Sequence, residues 1–567
     1  MGLSRRAASC AGLLLLTAVL AVGAGLLLLL YLGRPRCDPP RYWHAAVAAD
    51  TRRCSEVGRD ILKRGGSAVD AAIAALVCTS VLNPQSMGLG GGVIFTIYDA
   101  PTGKIEVLNA RERAPRNITE GLLKQCRNKL LPGSQWIAVP GELRGYEEAH
   151  RRYGRLSWKD LFEPTIEMLG LGIRVSDVLS QFLKILASHL TNSSSCRLFC
   201  NDRGAVLSSG EALRWAALEK TLKAVAENGA AEFYSGRTAE KLVQDVRAEG
   251  GTLTLEDLKN YHIELMKPVN MSLDKYTIFS APRPAAGSVL FFVLNVLKGF
   301  NFTKVDLEEP NRRARAYHYI AETLKFANGQ RAKLDDPKFS EIKEVGLSCD
   351  FLQEMMSDAF ADHIRQLIDG RGDHPTSHYD PAQLKTAPFG TSHVAVLAED
   401  GSAVSATSTI NHPFGSMVYS QQTGIILNNE LLLFSQLTLS PVVPPPPGEM
   451  PPSSMAPSIL LSKDGKSKLI IGGSGGRLII AAVAQALVNK LWFGYDLDQA
   501  IGAPILAASG DGSIQVEKQF PQVRRWPGSS LSLRLPPPSL KLVGISQEGS
   551  CIFPYSDLRK RGEASGY

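Results

Sequence analysis

A threonine hydroxyl attacks carbonyls poorly unless a base lies beside it. One threonine in this 567-residue chain has the setting to acquire such a base. Thr391 follows Gly390 and opens a stretch, GTSHVAVLAEDGSAVSATSTIN, that carries seven hydroxyl residues. If the Gly390–Thr391 peptide is cut, the new α-amine has a pKa of about 8 and sits on the same residue as the hydroxyl. Glycine at 390 offers no side chain to obstruct attack of that hydroxyl on its own preceding carbonyl. The plainer reading is a strand that happens to begin with threonine. Hairpin geometry adds one check. Folding about Glu399 to Ser402 sets residue 391 opposite 409 or 410, so Thr409 lies beside Thr391 and Asn411 projects near the same end.

Other constellations are weaker. Ser392 and His393 are adjacent in a strand and face opposite sides, so they form no dyad with each other. No G-x-S-x-G elbow occurs. GLGGG (Gly88–Gly92) precedes a strand, the wrong order for a dinucleotide fingerprint, and reads as close backbone approach. GGSGG (Gly472–Gly476) lies between a strand and a helix. It lacks a P-loop lysine, and reads better as an oxyanion cradle of backbone N–H groups at a helix start.

The elements that would position these residues can be read from period and punctuation. HAAVAAD reads as a short buried strand, and CSEVGRDILKRGG as a helix stopped at Gly65 and Gly66. Ser67 caps the next helix, AVDAAIAALVCTSVL, with Asp70 three residues on. Strands are expected at Val93–Tyr98 and Ile105–Asn109, then in SHVAVLAE, AVSATSTI, GIILNNE and the hairpin SILLSKDGKSKLIIGG. Residues 141–265 and 311–369 read mostly as helix, and RLIIAAVAQALVNKLWF as a buried one. PVVPPPPGEMPP is an extended connector. Residues 508–545 show too weak a period to place. Buried helices beside apolar hairpins indicate a layered α+β fold with its sheet inside.

Composition bounds the class. Hydrophobic residues make up 44% and charged residues 21%, with net charge +7, describing a globular protein. Basic residues are scattered without a long run, so no nucleic-acid partner is expected. Ala7 to Gly33 is a run of 27 uncharged residues, long enough for an uncleaved signal-anchor helix after a short cytoplasmic tail, residues 1–6. Asn-X-Ser/Thr sites at Asn117, Asn192, Asn270 and Asn301 fit a glycosylated outer face. Setting aside Cys10 in the span, eight of the nine cysteines suit an oxidising compartment, and Cys196 and Cys200 are close enough for a local bridge. The expectation is a single-pass type II protein of the plasma membrane with its bulk outside the cell.

Several long motifs then fall in a known order: SMGLGGGVIFTIY, NARERAP, VPGELRGYEEAHRRYG, ETLKFANGQR, the stretch at Gly390, PFGSMV, GIILNNE, PSSMAPSIL and DLRKRGEASGY. Together, over roughly residues 38–567, they resemble gamma-glutamyltransferases. That resemblance implies an N-terminal-nucleophile hydrolase with an αββα four-layer sandwich behind the N-terminal transmembrane helix. It implies self-cleavage into a large subunit (34–390 beyond the anchor at 7–33) and a small catalytic one (391–567), held as a heterodimer. Thr391 matches the nucleophile, Thr409 the residue that orients it, and Gly475 and Gly476 the oxyanion glycines. Arg111 matches the arginine for the substrate α-carboxylate, with Asn411, Ser453 and Ser454 as helpers. Glu430 matches a carboxylate that holds the α-ammonium. Cys54–Cys78 and Cys196–Cys200 match the family's disulfide spacings. The implied substrates are glutathione and its S-conjugates, leukotriene C4 included, with water or an amino acid or dipeptide as acceptor. No cofactor or metal is implied. Three departures stand out. Leu433 replaces a usual aspartate, the linker before Ser453 is short and proline-rich, and Phe389 stands where small residues are common. They motivate a second reading, a weakly active or inactive membrane glycoprotein that works by binding.

Overall fold

The computed structural model describes residues 19–23, 25, 42–118, 133–331, 334–339, 353–370, 374–379, 390–436, 444–521, 531–534 and 540–567. Residues 19–23 of the expected anchor are helical, and most of that segment lies outside the described residues. Among the described residues no helix is long and apolar enough to cross a membrane.

Two large antiparallel sheets form the centre of the protein. Their strands among the described residues are numbered here in chain order. The upstream strands are β1 (Ala46–Ala48), β2 (Gly92–Asp99), β3 (Lys104–Ala110), β4 (Glu264–Met266), β5 (Val269–Leu273) and β6 (Tyr276–Ser280). The downstream strands are β7 (Ser392–Leu397), β8 (Ala403–Thr409), β9 (Ser458–Ser462), β10 (Ser467–Ser474), β11 (Lys541–Glu548), β12 (Cys551–Ser556) and β13 (Ala564–Gly566). The first sheet runs β13-β1-β7-β8-β2-β3-β4 and the second β12-β11-β10-β9-β6-β5.

Side-chain alternation makes these sheets the middle of four layers. Ala46, Ala48, Ala395 and Leu397 of the first sheet meet Ile459, Ile470, Val543 and Ile545 of the second in one buried cluster. The intervening residues of the first sheet, such as Val394, Val396 and Val404, face the other way. They pack on helices α1 (Arg52–Lys63), α2 (Ala68–Leu82) and α3 (Glu142–Tyr153). On the far side Ile278, Leu460 and Ile471 pack on α4 (Gly287–Lys298), α5 (Pro310–Arg331) and α6 (Leu478–Leu491).

Local signals account for the helices nearest the site. Ser67 and Asp70 form the expected capping box, at 3.0 and 2.9 Å. Helix α2 is alanine-rich and buried nearly all round, so it can lie close on the sheet. Disulfide Cys54–Cys78 ties it to α1, and Cys196–Cys200 closes a local loop.

The segment GIILNNE is not a strand. It makes isolated bridges, Tyr419 with Ile426 and Leu427 with Gly90. The Asn428 side chain takes the place of a strand neighbour, bonding Gly90 O, Ala138 O and Ala138 N at 2.7, 2.9 and 3.0 Å. Within 508–545, short strands at Ile514–Val516 and Leu531–Arg534 join Leu506–Ala508 in a small third sheet, and β11 begins at Lys541.

Glu142, at the start of α3, is fully buried and accepts bonds from Tyr146 Oη (2.5 Å) and from Ser408 Oγ (2.9 Å) on β8. Burial pushes its carboxyl up to about 8. The folded protein therefore holds a proton that the unfolded chain releases above its ordinary carboxylate range. The stability this contributes is complete at low pH and is lost as pH rises to about 8. Glu142→Gln flattens that slope: thermal unfolding at pH 5, 6.5 and 8 shows the variant gaining on the native protein as pH rises.

Candidate active site

Strand register sets the core of the site. Ser392 pairs with Ser408, which leaves Thr391 opposite Thr409 at the end of the β7–β8 hairpin. The alternation that places His393, Ala395 and Leu397 between the sheets sends Thr391 the same way. Its Oγ1 lies 3.2 Å from Thr409 Oγ1, and the Thr409 hydroxyl accepts the Asn411 amide at 2.8 Å. Thr391 is only 4% exposed. Its backbone N–H donates to Ser86 O at 2.9 Å.

In this uncut chain Thr391 has φ of 102°. That conformation is strained for a β-branched residue, by about 1–3 kcal/mol. Gly390 is a steric requirement, since a Cβ there would lie 1.8 Å from Asn411 O. The Gly390 carbonyl oxygen accepts from the Gly475 amide at 3.4 Å. A hydroxyl, a strained peptide and an N–H at the peptide's oxygen thus converge on the bond between Gly390 and Thr391. Phe389 lies outside the described residues.

The two glycine motifs divide by purpose. In GLGGG, Cβ atoms at Gly90 and Gly91 would lie 2.1 Å from Ile426 O and from Thr409 O. These glycines bring backbone against backbone at the site, which leaves no room there for a phosphate cradle. In GGSGG, Gly472 makes room for the buried His393 ring, whose Nδ1 meets Thr407 Oγ1 at 2.8 Å. Burial lowers His393 to about 3, so it is neutral and structural. Gly475 and Gly476 have φ of 118° and 56°, which turn the chain from β10 into α6 with the Gly475 amide on Gly390 O.

Beside this pair stands a buried charge cluster. Arg111 is 1% exposed and lies between two fully buried carboxylates, Glu430 at 2.8 Å and Glu112 at 3.3 Å. It also donates to Pro451 O and Pro452 O, both at 3.2 Å. Burial raises both glutamates, and for Glu112 the neighbouring Glu430 raises it further. Both carboxyls therefore give up their protons at higher pH than an exposed glutamate does. Glu430 Oε1 is buried without a hydrogen-bond partner among the described residues. Asn411 Nδ2 bonds Asn429 O at 3.0 Å, which holds the loop carrying Glu430 against the end of β8. Ser453 Oγ accepts from the Met455 amide at 3.1 Å, and Ser454 Oγ accepts from Arg331 at 2.5 Å. Leu433 is half-buried. Its N–H caps Glu430 O at 3.0 Å, and its neighbours Leu431, Leu432 and Phe434 pack with Trp136 and Ala138. Sequence reading missed Ser86, whose contribution is a backbone oxygen without a residue signature. It also missed Glu112, although a second acid inside NARERAP was a signal.

A double sandwich with a threonine hydroxyl next to a peptide whose oxygen meets a backbone N–H, beside a buried arginine–carboxylate cluster, suits a hydrolase or acyl transferase acting on amides that carry charged groups. The chain belongs to the gamma-glutamyltranspeptidase family, whose model matches residues 54–567. It is 51% identical to the glutathione hydrolase 5 proenzyme of Mus musculus over 97% of this chain and 98% of that protein. The Homo sapiens glutathione hydrolase 5 proenzyme is also 51% identical, over 94% of each. The cephalosporin acylase of Bacillus halodurans shares the fold, with TM-score 0.81 and 24% identity over 94% of this chain and 97% of that one.

Proposed function

We propose that this chain is a γ-glutamyl hydrolase and transferase that activates itself by cutting Gly390–Thr391, as an N-terminal-nucleophile enzyme. The observation that carries the reading is the Gly390 carbonyl oxygen on the Gly475 amide, with the threonine amide held on Ser86 O. Thr391 Oγ1 attacks the Gly390 carbonyl carbon, the oxyanion rests on the Gly475 N–H, and the C–N bond breaks to leave an ester and a free α-amine. Water then releases Gly390 as a carboxylate. The amine remains at Ser86 O beside the hydroxyl it now serves as base.

In turnover a γ-glutamyl amide takes the place of the Gly390 peptide. Thr391 attacks the γ-carbonyl, Thr409 orients it, and Gly475 with Gly476 stabilises the oxyanion. The amine leaves with the proton. Water or an amino acid or dipeptide then takes the γ-glutamyl group from the ester. The buried Glu430 Oε1, without a partner among the described residues, supports a role in receiving the α-ammonium, while Arg111, Asn411, Ser453 and Ser454 take the α-carboxylate end. Glutathione and its S-conjugates, leukotriene C4 among them, are the substrates. The names of the relatives favour this reading over a binding-only paralogue.

Amine release from a γ-glutamyl anilide tests the activity. A denaturing gel tests the cut, with a small fragment expected to begin Thr-Ser-His-Val. Leu433→Asp adds a second acid for the ammonium. A charge-assisted bond contributes about 1.5–3 kcal/mol, so KM for glutathione falls about tenfold. An unchanged KM shows that an acid at position 433 does not reach the ammonium.

The outward-facing, anchored topology is part of the same proposal. The uncharged run from Ala7 to Gly33 supports it, as does the exposure of Asn117, Asn192, Asn270 and Asn301.

A further inference from the structure

Two arginines stand beside the site without an acid. Arg331 ends α5, and Arg477 follows Gly475 and Gly476 directly. Arg331 donates to Ser454 Oγ at 2.5 Å, while Arg477 donates to Gln515 Oε1 at 2.5 Å and to Ala508 O at 3.3 Å. Ala508 O also accepts from Asn328 Nδ2 at 3.0 Å, and Asn328 lies one turn before Arg331 on the same helix. That shared carbonyl brings the Arg477 guanidinium to the last turn of α5. Among the described residues neither arginine has a carboxylate within ion-pair distance, although Asp511 exerts a weaker pull on Arg477. Burial, then the charge of Arg477, pushes Arg331 down to about 10. Arg111, in contrast, already has two carboxylates. Two enclosed cations side by side repel unless an anion lies between them.

A γ-glutamyl dipeptide carries two carboxylates. One is on the glutamyl α-carbon, toward Arg111. The other ends the departing dipeptide. Two residues span at most about 7 Å from the carbonyl under attack, within reach of an arginine that directly follows Gly476. We infer that Arg331 and Arg477 form a second anion subsite, which takes the C-terminal carboxylate of the departing dipeptide and of a dipeptide acceptor. The inference rests on the γ-glutamyl reading above. The paired fork geometry of guanidinium and carboxylate suits such a contact.

The test compares glutathione with glutathione amidated at its glycine carboxylate. In the native protein, amidation raises KM about tenfold. In the double variant Arg331→Gln with Arg477→Gln, glutathione itself takes the higher KM and amidation no longer matters. Arg331→Lys with Arg477→Lys retains part of the preference. Equal KM for the two peptides in the native protein overturns the inference, and that comparison needs no variant to fold. A double variant that still prefers free glutathione overturns it as well. Anilide turnover keeps the two readings apart. Native protein inert toward γ-glutamyl anilide defeats the γ-glutamyl assignment itself. Anilide turnover without discrimination between the peptides defeats the subsite alone.

Discussion

Thr391→Ala yields a single uncut chain on a denaturing gel, and γ-glutamyl anilide turnover falls by about 10⁴-fold or more. The magnitude follows from the geometry. On the proposed mechanism the hydroxyl attacks the Gly390 carbonyl, and its side-chain hydrogen-bond partner among the described residues is Thr409 at 3.2 Å. Alanine removes the nucleophile and, by preventing the cut, the amine that would activate it. Thr391→Ser keeps both and retains cleavage and activity. The fold tolerates alanine, because the strand bonds of β7 begin one residue later at Ser392. A Thr391→Ala protein that is still cut, or that keeps native turnover, refutes the mechanism.

Arg111→Met has the largest expected effect on stability. The guanidinium is the counter-charge for Glu430 and Glu112, all three buried. Its removal strands two carboxylates away from water, at a cost of about 3–5 kcal/mol. Thermal unfolding at pH 7 shows the variant lower by several degrees, and the deficit shrinks at pH 5. The sign follows from the raised carboxyls. Without Arg111 they ionise only at still higher pH, so acid restores the neutral forms the fold accepts. Adding Glu430→Gln to Arg111→Met recovers part of the loss by removing one of the two acids. Equal stability of Arg111→Met and native protein at pH 7 would remove the cluster as a structural element. On the proposed role of Arg111 at the substrate α-carboxylate, glutathione hydrolysis falls as well.

Much of this was legible in the chain because local rules set it. The Ser67–Asp70 capping box, the turn at Glu399–Ser402 and the pairing of 391 with 409 depend on neighbours in sequence, and period alone gives them. The cradle after β10 was legible for the same reason, a strand running through glycines into a helix. The features that escaped depend on distant backbone. Ser86 contributes a carbonyl that any residue type carries. GIILNNE has the composition of a strand, yet Asn428 bonds Gly90 and Ala138 across the chain and leaves isolated bridges in place of a ladder. The carboxylates around Arg111 come from positions 112 and 430, a distance no local pattern spans.

The order of strands in the first sheet decides the fate of the two pieces once the chain is cut. β1 lies upstream of Gly390, and its hydrogen-bond neighbours on both sides, β13 and β7, lie downstream. The two products are therefore interlocked like the fingers of clasped hands. On the proposed cut, dilution is expected not to part them, and each half made alone has a first sheet missing interior strands. The proposed cut would therefore change covalent connectivity while leaving one cooperative body.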